Sequence, residues 1–257
     1  MLKMTRQMSE SYLLGGLLTL IGGFLDAYTY LSRGKVFANA QTGNVVLLGL
    51  HIADGDFKGA LFYLMPVLTF AVGVLISSFI KDKFKGKSKL HWRQIVVAIE
   101  AAALLAVTFL KSNMAANILV SFVCALQAQT FRKVHGHALA TTMCTGNLRI
   151  ATETLYSATK TKSRKLVSKC RQYYFIIVTF LAGAAIGTLI TNRYMQKSCI
   201  FAFGGLVLAF LFMFIDTEKD KIKAEIKNEI EKAVEKEVEK EVEKEIEKEL
   251  KKEAEKQ

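Results

Sequence analysis

Long runs of apolar residues alternate with short polar segments along the first 215 residues of the chain. A helix needs about 20 apolar residues to cross a bilayer, and six of the runs have about that length. Backbone polar groups cannot stay unpaired in hydrocarbon, so each run predicts a membrane-spanning α-helix. The six predicted spans are residues 12–32, 60–80, 94–110, 114–131, 172–191 and 198–215.

Two further apolar segments are too short to cross, and each begins with the triplet Thr-Gly-Asn. Residues 42–44 precede a run that would form roughly 14 Å of helix, about half of a bilayer. The triplet returns at residues 145–147. If both segments crossed fully, one of the two most basic loops would be forced outside. We therefore predict that residues 36–53 and 138–156 are re-entrant, each leaving the membrane on the side it entered.

The two halves of the chain resemble each other beyond the triplet. DAYTYLSRGKVFANAQTGN (26–44) aligns with QAQTFRKVHGHALATTMCTGN (127–147), and TFAVGVLIS (69–77) aligns with TFLAGAAIGT (179–188). Three spans in each half would place the second half upside down relative to the first. The predicted fold is therefore an all-α polytopic membrane protein with two inverted repeats, about 12–111 and 114–215. Such repeats build a central site in many transporters, although here they could also be an evolutionary relic.

The charge distribution supports membrane residence and predicts orientation. Residues 1–215 hold 23 Lys and Arg against 7 Asp and Glu. The basic residues cluster in short loops at 81–93 and 160–171, which is the positive-inside pattern of membrane proteins and not a nucleic-acid footprint. We expect a multi-pass plasma-membrane protein that contacts the lipid bilayer, has both termini in the cytoplasm and binds no nucleic acid.

The last 42 residues, 216–257, have a different composition and are predicted to be a separate cytoplasmic helical tail. They hold 12 Lys and 16 Asp or Glu, with an apolar residue at every fourth position from Ile226 to Ala254. A period of four exceeds 3.6, so the apolar stripe drifts around the helix. The sequence leaves open a solvated charged helix and a self-associating, coiled-coil-like helix that makes a homo-oligomer.

The triplet residues are the first candidates for a functional site. Thr and Asn side chains can cap the first N–H groups of a helix, and Gly permits a turn or a close approach. Two such breaks would place two helix N-termini face to face in the membrane, where they suit a polar ligand. The predicted substrate path is lined by Asp26, Gln41, Thr42, Gly43, Asn44, Gln127, Thr145, Gly146 and Asn147.

Two carboxylates inside predicted spans, Asp26 and Glu100, are candidates for proton or cation coupling. A charged carboxylate at that depth is costly, so it is protonated or paired. Asp26 could instead cap the re-entrant segment or pair with Arg33 or Lys35. Glu100 could pair with a cation such as Arg149. Gln127 and Gln129 are expected to donate hydrogen bonds across helices.

No enzyme, metal or cofactor is predicted. The cysteines, Cys124, Cys144, Cys170 and Cys199, are scattered without a CxxC pair, so we expect apolar fillers and neither a disulfide framework nor a zinc site. The His135-x-His137 pair is more typical of a polar interfacial segment than of half a metal site. The sequence contains no HExxH, GxSxG or Walker motif.

The stretch FLDAYTYLSRGKVFANAQTGN, the later Gln-Ala-Gln with the second triplet, and the two T-F-x-x-G helices resemble the YoaK family. The resemblance covers about residues 12–215 and implies a bacterial six-span membrane protein of unknown function, sometimes guessed to be a permease. It implies no substrate and no established functional residues.

Three functions follow as hypotheses. The first is a transporter or permease for an unidentified small polar solute, with Asp26 as the candidate for proton coupling. The second is a channel or facilitator in which the two re-entrant segments meet as a constriction. The third is a membrane scaffold or sensor that acts through the charged tail.

Overall fold

The structure, a computed structural model, is all-helical apart from one two-residue strand pair. It describes residues 12–85, 91–134, 137–138 and 141–213, and five single helical positions in the tail. The helices are α1 (Tyr12–Ser32), α2 (Gln41–Ala53), α3 (Phe57–Phe84), α4 (Trp92–Phe109), α5 (Asn113–Thr130), α6 (Thr145–Thr161) and α7 (Arg164–Tyr194). A 3-10 turn, Met195–Ser198, leads into an eighth helix, α8, at residues 199–213. The antiparallel strands are β1 (Lys133–Val134) and β2 (His137–Ala138).

The described residues of all six apolar runs are helical apart from single positions at their ends, which confirms the predicted all-α fold. Within the described residues, four helical stretches are long and apolar enough to be candidate membrane spans. They are Leu13–Ser32, Phe57–Phe84, Trp92–Phe109 and the stretch Arg164–Met213, which contains α7, the 3-10 turn and α8. α5 has the length of a span but carries Asn113, Asn117, Gln127 and Gln129. The count of six spans stays a prediction.

α1 crosses α7 at very short range. A methyl group added at Gly183 of α7 would lie 2.1 Å from the Leu20 carbonyl oxygen, and one at Gly23 would lie 2.1 Å from the Phe180 carbonyl oxygen. No side chain fits at either position, so these glycines let the two backbones touch. Small residues at helix crossings are typical of membrane proteins, where close packing holds helices together.

A second glycine crossing joins α3 to α5. A methyl group at Gly73 would lie 2.7 Å from the Ala125 Cβ and 3.1 Å from the Phe122 carbonyl oxygen. Gly73 and Gly183 occupy the same position in the two T-F-x-x-G segments. The shared motif therefore makes equivalent contacts, because in each case its glycine packs against the helix that precedes a Thr-Gly-Asn segment.

The buried core lies between α1, α4, α5 and α8. Its members include five completely buried side chains: Leu18, Leu25, Leu104, Val120 and Leu206. Large apolar side chains such as Leu75, Phe79, Leu181 and Leu189 lie on the outside of α3 and α7. Apolar residues that face outward along long helices are what a bilayer accommodates.

The chain divides into two units after Met213. In the tail, the five described positions are helical and about half exposed: Ile226, Ile230, Val234, Val238 and Val242. They belong to the apolar stripe of period four. Self-association of this stripe stays a prediction.

Candidate functional site

The loop before α2 folds back along α1 as far as the helix centre. α1 ends at Ser32, and the chain then returns so that the Asn39 side-chain nitrogen donates to the Gly22 carbonyl oxygen at 2.8 Å. Gly22 is the central residue of Tyr12–Ser32, about 16 Å along the helix from Arg33. α2 then leads away again, and its His51 ring stacks on Tyr63 near the start of α3. The residues between α1 and α2 thus run back beside α1 as far as its centre.

The loop before α6 reaches the same part of α1. A methyl group at Gly22 would lie 3.4 Å from the Thr141 carbonyl oxygen and 3.7 Å from the Asn39 side-chain nitrogen. Cys144, the N-cap residue of α6, interacts electrostatically with Asp26. α6 then leads away, with Ala151 packed against Tyr173 of α7. The two loops that precede the Thr-Gly-Asn triplets therefore meet at the centre of α1.

Asp26 anchors the first of these loops. Its Oδ1 accepts the backbone N–H of Asn39 at 2.8 Å, and the side chain is almost completely buried. Of the roles considered from the sequence, this contact matches the one in which Asp26 caps the segment. Arg33, considered as a cationic partner, bonds elsewhere. Asp26 is thus a buried carboxylate at the place where both loops converge.

The asparagine of the first triplet holds the loop in place. The Asn44 side chain accepts the Phe37 N–H at 3.2 Å and donates to the Phe37 carbonyl at 2.7 Å and to Gln41 Oε1 at 3.0 Å. The prediction that Thr and Asn cap the helix was wrong: the N-cap of α2 is Ala40, without a side-chain cap bond. Asn44 reaches backward because the non-helical Phe37 peptide needs partners inside the bundle.

The second triplet is built in a similar way. Asn147 is buried and donates to the Met143 carbonyl at 2.8 Å. The N-cap of α6 is Cys144, again without a side-chain cap bond. Thr42, Thr145 and Gly146 are exposed, so in each triplet the asparagine points inward and the threonine outward. Each asparagine is bonded within its own loop.

Gln127 and Gln129 bond across helices, as predicted. Gln127 of α5 donates to the Leu18 carbonyl of α1 at 2.9 Å. Gln129 donates to Ser78 Oγ of α3 at 2.8 Å. Gln127 therefore ties α5 to α1 one helical turn from Gly22. Gln41 donates to the Ala38 carbonyl at 2.8 Å, and Gly43 faces the Phe37 ring.

Glu100 is completely buried in α4, and neither of its oxygens has a hydrogen-bond partner. The suggested pairing with Arg149 was wrong, because Arg149 lies exposed on α6 and bonds Glu153 at 3.4 Å. Glu100 and Asp26 both lie within electrostatic range of Cys124 in α5.

A network around Arg33 closes one end of the bundle, and the sequence analysis missed it. Arg33 is fully buried, and its guanidinium donates to Tyr28 Oη at 2.7 Å and to the Leu110 and Val107 carbonyls at 2.8 and 3.0 Å. These carbonyls are at the C-terminus of α4, where the helix dipole favours a cation. The signal that could have found it is a single Arg immediately after an apolar run.

Other side chains extend this network to α5 and to the 3-10 turn. Asn117 donates to the Arg33 carbonyl at 2.8 Å, Tyr28 Oη donates to the Gln196 carbonyl at 3.2 Å, and Gln196 donates to Asn113 at 3.3 Å. The ends of α1, α4 and α7 and the start of α5 are therefore joined at one end of the bundle.

Three buried polar atoms without hydrogen-bond partners belong to the two loops at the junction. Among the described residues, Asn39 Oδ1, Thr141 Oγ1 and Thr142 Oγ1 are buried and accept or donate no hydrogen bond. Buried polar groups normally have partners, so these three atoms are suited to a polar ligand or water. The described residues contain no group of three His, Cys, Asp or Glu that could hold a metal ion, and the side chains of His135 and His137 lie outside the described residues.

Asp56, which lies outside the candidate spans, is the N-cap residue of α3. Its Oδ1 accepts the Gly59 N–H at 3.0 Å and its Oδ2 contacts His51 at 2.9 Å. The Gly59 amide first, and His51 to a lesser extent, hold the pKa of Asp56 below its usual value. This contact fixes the turn between α2 and α3.

The similarity of the chain to known proteins extends over these same helices and loops. The family described as "Protein of unknown function (DUF1275)" matches residues 14–213. The chain belongs to this family. The "UPF0700 transmembrane protein YoaK" of Bacillus subtilis (strain 168) is 29 % identical over 179 residues, which cover 66 % of this chain and 75 % of that protein. No solved structure matches the chain.

The DUF1275 match begins within α1 and ends with the last described residue of α8. It therefore includes both triplets and the loop junction, and it excludes the charged tail. Together with its apolar helices and its transmembrane relative, the match confirms the predicted YoaK-type family and shows that the chain is a membrane protein.

Proposed function

We propose that this DUF1275 protein is a transporter for a small polar solute. Its site would be the junction where the two pre-triplet loops meet α1 beside Asp26. One observation carries the proposal: Asn39 and Thr141 come from different halves of the chain and approach the same residue, Gly22. Gly22 is the centre of α1. If α1 spans the bilayer, the junction lies near the membrane midplane, where transporters of this kind bind substrate.

The proposal includes two inverted repeats, α1–α4 and α5–α8. The packing supports this, because α7 crosses α1 through Gly183 and α3 crosses α5 through Gly73. Each half thus places its T-F-x-x-G helix against the first helix of the other half. α2 also packs on α3 as α6 packs on α7. In this arrangement the two pre-triplet loops enter from opposite leaflets.

The chemistry of the junction favours a polar, hydrogen-bonding solute. Asn39 Oδ1 is an acceptor, and the Thr141 and Thr142 hydroxyls both donate and accept. Their lack of protein partners leaves them available to a ligand. Asp26 would supply coupling, since a buried carboxylate can take up a proton when the site opens to one side and release it on the other.

The test is uptake by the full chain in liposomes, measured with a panel of small solutes chosen from a thermal-shift screen. A ligand that binds the native state raises its apparent stability. We expect uptake of at least one hit and faster uptake with an inward proton gradient. Asp26→Asn should remove the gradient dependence. If no screened solute binds or is taken up, the transporter proposal is wrong.

A matched control separates coupling from folding. Glu100→Gln changes the other buried carboxylate without touching the junction. If Glu100→Gln abolishes the gradient dependence and Asp26→Asn leaves it unchanged, coupling belongs to Glu100. If uptake proceeds equally with and without a gradient in the native chain, the protein is a facilitator and neither carboxylate couples.

A further inference from the structure

The outward faces of α2 and α6 have the same geometry but opposite chemistry. Aligning the two triplets places Thr42 opposite Thr145, and seven exposed positions of α2 then match seven exposed positions of α6 one for one. On α2 these residues are Thr42, Val45, Val46, Gly49, Leu50, Ile52 and Ala53. On α6 they are Thr145, Leu148, Arg149, Thr152, Glu153, Leu155 and Tyr156.

The difference is sharpest at three equivalent positions. Val46 and Leu50 are 57 % and 56 % exposed on α2, whereas their counterparts Arg149 and Glu153 form an ion pair with side chains 74 % and 69 % exposed. At the third position, Gly49 corresponds to Thr152. The α2 face is therefore suited to lipid, and the α6 face is not.

The charged face of α6 lies at membrane depth under the proposed function. The carbonyl oxygen of Thr141 reaches Gly22 at the centre of α1, and Cys144, three residues later, is the N-cap of α6. Arg149 is five residues further along α6, or about 7 Å, and Glu153 is nine residues, or about 13 Å. Half of a hydrocarbon core is about 15 Å. A charged side chain that faces lipid there costs roughly 2.5–3.5 kcal/mol, so the face requires water or another polar surface.

We infer that the exposed face of α6 lines a water-filled vestibule that leads hydrophilic solutes to the Asp26 junction. This rests on the proposed midplane position of the junction. Thr145, Arg149, Thr152 and Glu153 line the vestibule, and half-exposed Cys144 lies at its inner end. The opposite end of the bundle is held by the buried Arg33 network. The structure thus corresponds to a state that is open on the α6 side and closed on the other.

Cysteine accessibility tests the vestibule with pairs of equivalent positions. The background is full-length Cys144→Ala, which removes the half-exposed native thiol and leaves three buried ones. Thr152→Cys is compared with Gly49→Cys, and Arg149→Cys with Val46→Cys. A methyl group at Gly49 meets nothing within 4 Å, so that cysteine fits. The probe is a membrane-impermeant maleimide applied to inside-out and right-side-out vesicles.

We expect the α6 cysteines to react at least tenfold faster than their α2 counterparts, and only in inside-out vesicles. Denatured samples should label fully in all four variants. Equal rates within each pair would overturn the inference. So would unreactive α6 cysteines that form disulfides between copies, because a second copy would then cover this face. If the α6 cysteines react but no solute is taken up, the vestibule is supported and the transporter proposal is wrong. If solute is taken up but the α6 cysteines do not react, only the vestibule inference is wrong.

Discussion

The backbone N–H of Asn39 donates to Oδ1 of Asp26 at 2.8 Å, so the buried carboxylate of α1 holds the loop that leads into α2. This contact gives Asp26 a structural role beside any role in coupling. The two roles can be separated, because an amide oxygen accepts the same hydrogen bond but does not ionise.

Asp26→Asn should therefore fold like the native chain, with a free energy of unfolding within about 1 kcal/mol, while Asp26→Ala should lose about 1–3 kcal/mol because the Asn39 N–H is left unsatisfied. Thermal unfolding in detergent measures both. Equal losses in the two variants would show that the hydrogen bond does not hold the loop.

The residues of the first triplet should differ in their contribution to stability. Asn44→Ala removes three hydrogen bonds and should cost on the order of 2–3 kcal/mol at about 1 kcal/mol each. Thr42→Ala changes an exposed side chain and should alter the free energy of unfolding by less than about 0.5 kcal/mol. The reverse order, measured by thermal unfolding, would contradict the described orientation of the triplet.

The crossing of α1 and α7 should tolerate no added side chain. In Gly183→Ala the new methyl group would meet the Leu20 carbonyl, and the helices must separate at a cost of about 1–3 kcal/mol or more. Gly204→Ala is the matched control in α8, because a methyl group there meets nothing within 4 Å. It should be neutral or stabilising by up to about 1 kcal/mol. Similar melting temperatures for both variants would argue against the crossing.

Replacing Arg33 should open one end of the bundle. Arg33→Met leaves the Val107 and Leu110 carbonyls without their donor and should cost about 3 kcal/mol or more. Arg33→Lys should recover only part of this, because an ammonium lacks the planar fork that reaches three acceptors. Exposed Lys35 provides the control, and Lys35→Gln should change stability by less than about 0.5 kcal/mol. Limited proteolysis and thermal unfolding report the result.

Asp56 should add a small acid-sensitive contribution to stability. Its pKa in the folded protein is below the usual 3.8, so the contribution is complete above about pH 3.8 and is lost as the pH falls through the lower, folded-state value. Asp56→Asn keeps an N-cap that does not ionise. The difference in melting temperature between the native chain and Asp56→Asn should therefore change between pH 6 and pH 3. A constant difference would exclude this titration.

The sequence predicted the positions of the helices well, but it predicted the hydrogen-bond partners of the buried polar residues poorly. The predicted span 12–32 coincides with α1, because an unbroken apolar run defines a membrane helix almost by itself. α6, Thr145–Thr161, begins inside the predicted re-entrant segment 138–156. In the predicted re-entrant segment 36–53, α2 begins only at Gln41, and residues 36–40 are not helical. The chain stays non-helical there because Asn39 and Phe37 bond to α1 and to Asn44 instead of continuing a helix.

The partners predicted for Arg33 and Glu100 were wrong for a related physical reason. Arg33 and Glu100 were each given partners close in sequence or opposite in charge. In the structure Arg33 is held by carbonyls of α4 more than 70 residues away, and Glu100 has no hydrogen-bond partner. Backbone carbonyls carry no sequence signature, so contacts to them cannot be read from residue types. The same limit applies to the bonds that join the Asn44 side chain to the Phe37 backbone.

The glycine crossing also constrains how the protein is made. Gly183 meets Leu20, and the ribosome adds the intervening residues at about 5–20 per second. α1 therefore leaves the ribosome roughly ten to thirty seconds before its main neighbour. During that interval Arg33 lacks the Val107 and Leu110 carbonyls that α4 later provides, and the side of α1 that meets Gly183 has no helix against it. The contact between the two halves forms only after Gly183 has been made, so the packing of α1 is completed late in synthesis.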